Sequence, residues 1–198
     1  GMFALLKQRR IEFMLAVASF LGVVFFGVIE GIAGAIALSL LVMVWNAWHP
    51  YYTVLVRVHG REGYHDATRH PEGSRVPGLV LFRWDAQLFF ANADLFREAL
   101  LLAIDEAPTP IQVVIVAADA VNDIDVTAAD MLAELDHELE ARGIDLQFAG
   151  LKGHVRDLIM RYGLSPRFDR DHFHPTVGNA VNVYRQQYEV DWKDWDER

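Results

Sequence analysis

Between residues 11 and 48 the chain is apolar almost without interruption, and from Tyr51 onward apolar and polar positions alternate in short runs. Within residues 13–48 the only formal charge is Glu30, a pattern that suits a bilayer better than an aqueous core. The stretch divides at Gly27-Val28-Ile29-Glu30-Gly31 into two runs, 11–29 and 31–48. Each comes close to the ~17–25 residues a spanning helix requires. One continuous helix would place Glu30 near mid-bilayer, where a carboxylate is costly. The pattern therefore predicts a two-helix transmembrane hairpin over residues 1–50, with Glu30 in its turn. The run is too long for a signal peptide, and no small-residue cleavage site follows it.

Beyond the hairpin the periodicity changes. Residues 51–58 (YYTVLVRV) are β-branched and aromatic and read as a strand, with 64–69 able to pair back. After a Pro- and Gly-rich loop, 79–84 (LVLFRW) reads as a buried strand. Asn92 is placed to cap a helix with Leu95, Phe96, Ala99, Leu100 and Ala103 at helical spacing. Residues 111–118 (IQVVIVAA) are apolar throughout, as a strand covered on both faces should be. An amphipathic helix over 127–142 ends at Gly143, a strand over 145–149 follows, and a further helix covers 154–162. A last helix is expected over 176–188 with Thr176 as its cap, and the charged tail 191–198 is expected to fray. Two opening strands followed by strand–helix alternation predict an α/β domain over 51–190, a mixed sheet backed by helices.

Charge sharpens the topology. Lys7, Arg9 and Arg10 precede the apolar stretch and Arg57 and Arg61 follow it, so both flanks read as cytoplasmic and the number of spans as even. Trp45, Trp48, Tyr51 and Tyr52 cluster where aromatic rings settle at the headgroup level. Gly22, Gly27, Gly31 and Gly34 allow close helix contact, although such glycines are ordinary in membrane helices. The chain of 198 residues has a net charge of −9 and no cysteine. That balance argues against nucleic acid as a partner, and the missing thiols exclude disulfides and thiolate metal sites. Two helices without a basic residue inside them make no transport pathway, so a larger membrane domain is expected upstream.

The run Phe82-Arg83-Trp84-Asp85-Ala86-Gln87-Leu88-Phe89-Phe90-Ala91-Asn92-Ala93 resembles the opening of the cytoplasmic domain of SulP-type (sulfate permease) anion transporters. Val121-Asn122-Asp123-Ile124-Asp125-Val126-Thr127-Ala128-Ala129-Asp130 resembles the signature loop of the STAS domain, and Ala149-Gly150-Leu151-Lys152-Gly153-His154-Val155-Arg156 the turn that follows it in that family. The hairpin is similar to the final two membrane helices of the same transporters. The resemblance implies a STAS-like fold and a C-terminal piece of an integral plasma- or inner-membrane transporter for a small anion such as sulfate or bicarbonate. It also implies a cytoplasmic domain serving regulation and homodimer contacts, and an anion site in helices upstream. Stand-alone STAS proteins carry a phosphorylatable serine directly after the loop aspartate; here Asp125 is followed by Val126, which blocks that position. The alternative is a complete, membrane-anchored STAS protein that signals or scaffolds without transport.

Four residues, Asp123, Asp125, Thr127 and Asp130, are the candidate regulatory or partner-binding loop. Thr127 and Asp130 also fit a capping box, which explains both without function. Lys152, His154 and Arg156 are a candidate anion or nucleotide contact, without the glycine pattern of a P-loop. His172 and His174, with Asp169 and Asp171, raise a metal reading against the blander one of a polar loop, and no metal or other cofactor is expected. Phe89, Phe90 and Phe96 read most simply as core or, where exposed, as a contact with the membrane domain or another protomer. Paired carboxylates without a cleft or a raised-pKa acid give no catalytic residue, so no enzyme is expected.

Overall fold

The computed structural model describes residues 10–164, 167–190 and 192. The chain divides into two compact units, Gly1–His49 and Pro50–Arg198.

In the first unit a single glycine reverses the chain. Helix α1 (Arg10–Phe26) and helix α2 (Val28–Trp48) are separated only by Gly27, whose φ of 105° lies where a residue with a Cβ is strained. The two helices then meet through glycines. A Cβ at Gly31 would stand 2.4 Å from the backbone nitrogen of Val23, and one at Gly22 would stand 3.3 Å from the Cα of Gly31. Gly34 meets nothing and is free of that role. Glu30 does not lie in the turn as the sequence pattern suggested; it belongs to the first turn of α2. Gly27 makes the reversal alone, and a carboxylate in a first turn complements the positive end of the helix dipole. Helix α2, at 21 residues, is long and apolar enough to cross a membrane, whereas the apolar part of α1, Phe13–Phe25, is shorter. Their large side chains face outward, with Phe25 74% and Ile29 80% exposed.

The second unit is a six-stranded sheet. Its strands are β1 (Tyr52–Arg57), β2 (Tyr64–Asp66), β3 (Leu79–Trp84), β4 (Val113–Ala117), β5 (Asp145–Ala149) and β6 (Phe173–His174), in the order β2-β1-β3-β4-β5-β6. Strand β1 runs antiparallel to both neighbours, and β3 to β6 are mutually parallel. The crossovers carry α3 (Ala93–Asp105), α4 (Val126–Ala141) and α5 (Gly153–Ile159); α5 continues into a π turn, Met160–Leu164, and α6 (Val177–Tyr188) closes the domain.

Alternation within the strands builds two cores. Val80, Phe82, Trp84, Val114 and Val116 pack with Phe96, Leu100, Leu132 and Leu135 of α3 and α4. Leu79, Leu81, Val113 and Ile115 pack with Ala180, Val181 and Tyr184 of α6. Every residue of β4 is buried, which explains its unbroken apolar sequence. The Tyr184 hydroxyl donates to the Pro77 carbonyl at 2.9 Å, and its burial pushes its pKa up to about 12. Trp192, which composition assigned to a fraying tail, packs against this second core, with the Arg57 guanidinium 5.9 Å from its ring centre. Trp195 lies outside the described residues.

Asp66 ties the opening strands together. Its carboxylate accepts from Thr53 Oγ1 (2.8 Å), Thr68 N (2.8 Å), Thr68 Oγ1 (2.6 Å) and the Tyr51 hydroxyl. Desolvation opposes ionisation, but these donors together hold the carboxyl well below its ordinary value.

Candidate functional site

Strands β3, β4 and β5 are neighbours and parallel, so the segments that leave their carboxyl ends meet on one rim. Open α/β sheets present ligands and partners at that end. Here the rim is zipped by backbone. Leu88 N donates to Asp123 O (3.1 Å) and Asp125 N to Leu88 O (3.3 Å), forming a parallel bridge between Leu88 and Ile124. Val121 and Ile124 are buried, which anchors the loop from beneath.

Asp125 is the pivot. One carboxylate oxygen accepts from Ala128 N and the other from Phe90 N, both at 2.8 Å. It is the N-cap of α4, so the cap lies two residues before Thr127, the residue that the capping-box pattern indicated. A carboxylate has two separate oxygens and can give one to a helix end and the other to a neighbouring loop, whereas a threonine hydroxyl has a single oxygen for both. Thr127 and Asp130 are exposed at the start of α4. Asp123 is exposed as well, with Oδ1 accepting from Ile124 N at 2.9 Å. Asn92 holds the N-cap position of α3, but its side chain turns back, accepting from Phe89 N and donating to Gln87 O, each at 3.0 Å.

The next turn leans on this loop. His154 Nε2 lies 2.7 Å from Asn122 O. Lys152 and Arg156 are exposed, and the Arg156 guanidinium lies 6.0 Å from the Phe173 ring centre. His154 and Arg156 are thus committed to different neighbours, and α5 at seven residues is a weak anion cradle.

Sequence reasoning left one feature of the rim open and missed another. Phe90 is 68% exposed and Val126 55%, so the loop carries an apolar pair on its surface; of the phenylalanines assigned to the core only Phe96 is fully buried, and Phe89 is half-buried. No periodicity could show this, because Phe90 sits in a turn. The second feature lies towards α6. A cavity of about 470 Å³ opens between Tyr64, Arg83, Asp85, Asp119 and Thr176, with Arg83 Nε 2.7 Å from Asp85 Oδ1. Asp119 packs over Gly150, where a Cβ would come within 2.2 Å of its carboxylate. The available signal was Arg83, the one charge in an apolar strand.

His172 and His174 fall in different elements. His172 closes a 3-10 turn, Arg170–His172, between two carboxylates, while His174 is buried against Gln147. Among the described residues no three His, Asp or Glu side chains are grouped to hold a metal ion. Among the described residues, every carboxyl with a resolved shift, Asp66, Glu72, Glu138, Asp145 and Asp169, is moved downward, opposite to what a general acid requires.

A family model described as STAS domain matches residues 70–180. The chain belongs to the STAS domain family. Its relatives include a probable sulfate transporter of Mycobacterium tuberculosis, 37% identical over 183 residues that cover 92% of this chain and 33% of the relative. Sulfate transporter 3.1 of Arabidopsis thaliana is 26% identical over 186 residues, covering 89% of this chain and 28% of the relative. The chain therefore spans about a third of the length of the curated relatives it matches. Among solved structures, the murine Solute Carrier 26 family member A9 anion transporter in the inward-facing state superposes with a TM-score of 0.81 at 21% identity, covering 93% of this chain and 30% of that one. A sulfate transporter family protein from Wolinella succinogenes gives 0.51 at 22% identity, covering 59% of this chain and 93% of that one. At those identities the likeness is one of fold. The STAS fold accounts for the sheet and its helices, and the sulfate-transporter relatives align across the apolar helices too.

Proposed function

We propose that this chain is the C-terminal portion of a SulP-type secondary anion transporter, carrying sulfate or a similar small anion through helices upstream of it. The observation that carries this reading is the union, in one chain, of an apolar helical hairpin and a STAS domain, matched over 92% of its length by a probable sulfate transporter at 37% identity. The hairpin, helices α1 (Arg10–Phe26) and α2 (Val28–Trp48), is embedded in the plasma or inner membrane. The STAS domain faces the cytoplasm, a placement that the basic flanks on both sides of the hairpin support. Its role is regulatory rather than catalytic: it contacts the membrane domain and a second protomer, and the rim around Asp123, Asp125, Thr127 and Asp130 receives a partner or ligand. The exposed Phe90–Val126 pair supports the contact role, since apolar side chains of that size on a turn favour burial against another surface.

The test is uptake of radiolabelled sulfate and bicarbonate by proteoliposomes holding the native polypeptide, compared with a Phe90→Ser/Val126→Ser variant. The native protein should transport one of these anions, and the variant should change the rate several-fold while the domain stays folded. Absence of uptake of either anion contradicts the transporter reading. Unchanged uptake in the variant removes the rim from regulation.

A further inference from the structure

The edge of the sheet carries a chain of hydrogen bonds that neither the fold nor the rim accounts for. His172 Nδ1 lies 2.7 Å from Asp169 Oδ1 and its Nε2 lies 3.2 Å from Asp145 Oδ1. Gln147 Nε2 donates to the other oxygen of Asp145 at 2.6 Å, and Gln147 Oε1 lies 2.7 Å from His174 Nε2. An ionised carboxylate only accepts, which fixes every member of the chain. Asp145 takes the Gln147 amide nitrogen, so the amide oxygen faces His174, and His174 must bear its proton on Nε2. Its Nδ1 is then the lone pair at which a second proton would add. His172, gripped by a carboxylate at each nitrogen, donates from both and is an imidazolium.

What this chain holds is short. Strand β6 pairs with β5 through only two positions, Phe148 with Phe173 and Ala149 with His174. One further bond, from Gly150 N to His174 O at 3.0 Å, continues that edge. A two-residue strand has little pairing of its own, so side chains decide whether it stays.

We propose that His172 and His174 form a two-sided pH latch on β6, holding the segment Arg170–His174 to β5 while His172 is charged and His174 neutral, and releasing it when either changes. His174 is 8% exposed. The groups that face it are His172 and Asp171 from its own segment, Asp145 and Gln147 from β5, and Asn179 from α6. Burial pushes its pKa down and the neighbouring His172 charge adds to that, against Asn179, Asp145 and Asp171. The hydrogen bond to Asp145, joined by that to Asp169, pushes His172 up to about 9 against the cost of desolvation.

The signs oppose one another. Below the ordinary histidine value of 6.5, a released His174 takes up a proton that the closed segment refuses, so acid weakens the latch. Above 6.5 a released His172 gives up the proton that the closed clamp keeps up to about 9, so alkali weakens it too. The grip is greatest near 6.5. Release frees the backbone edge of β5, which can pair with another strand.

The test is backbone amide exchange by NMR on the full chain in detergent micelles, normalised for intrinsic rates, with Gly150 as the reporter and β4 amides as the internal standard. Between pH 6.5 and about 5, protection at Gly150 should fall roughly tenfold relative to β4. In His174→Gln, which can still donate to Gln147 but cannot charge, it should stay within about twofold. An equal fall in both chains overturns the proposal. The imidazole nitrogen shifts of the unsubstituted chain give a second reading that depends on no variant. A neutral Nε2–H ring at pH 6.5, charging in step with loss of Gly150 protection, is the expected result. A ring protonated on Nδ1 at that pH overturns the latch.

Discussion

In the STAS unit, Trp84, Leu100 and Leu135 are sealed from solvent, whereas in the hairpin Phe25, Ile29 and Leu41 point outward and a glycine, Gly31, is buried. The same residue types are arranged inside out in one chain. A sheet domain in water buries large apolar side chains because their transfer from water is the main favourable term. A helix pair in lipid gains nothing from that transfer, so contact falls to residues small enough to let backbones approach. The contrast supports the proposal that the hairpin surface faces hydrocarbon, and it can be attacked from either side.

The largest effect is expected in the STAS core. Leu135→Ala should cost about 2–5 kcal/mol of domain stability in denaturant titration of the full chain in micelles. Leu41→Ala, in the hairpin, should leave the same transition within about 0.5 kcal/mol. Equal losses would erase the contrast.

A smaller effect belongs to the helix contact. Gly31→Val places a side chain against the Val23 backbone and should weaken the helix pair by about 1–3 kcal/mol. Because the chain has no cysteine, two introduced near Gly22 and Gly31 can carry spin labels, and the distance between them should lengthen in the variant. Gly34→Val, which meets nothing, should leave that distance unchanged.

The smallest pair of effects separates Asp125 from Thr127. Asp125→Ala removes the α4 cap and the bond to Phe90 N, and should cost about 1–2 kcal/mol. Thr127→Ala, on an exposed first turn, should stay within about 0.5 kcal/mol. The reverse order would restore the cap to the position that sequence suggested.

Where periodicity is strong the sequence already contained the fold. Residues 79–84 and 145–149 form strands over the expected bounds, and Thr176 caps α6 by accepting from Asn179 N at 3.1 Å. The failures have physical causes. Strand β6 has two residues, too few to show a period, and its pairing depends on a partner 25 positions away in sequence, Phe148 with Phe173. The cap moved to Asp125 because a carboxylate could bind two donors contributed by separate segments, one of them 35 residues distant. Glu30 entered α2 because one glycine with positive φ suffices to turn the chain. The rim residues were legible as a motif, but the exposed Phe90 beside them was not, since an aromatic residue in a turn looks like core until the turn is built.

The central claim is that the hairpin and the STAS domain belong to a larger membrane protein. Its most direct test is an immunoblot of carbonate-washed membranes from the source cell, using an antibody to the STAS unit. A single band well above 22.4 kDa, retained in the membrane pellet, is the predicted result. A band at 22.4 kDa, or one released to the supernatant, would contradict it.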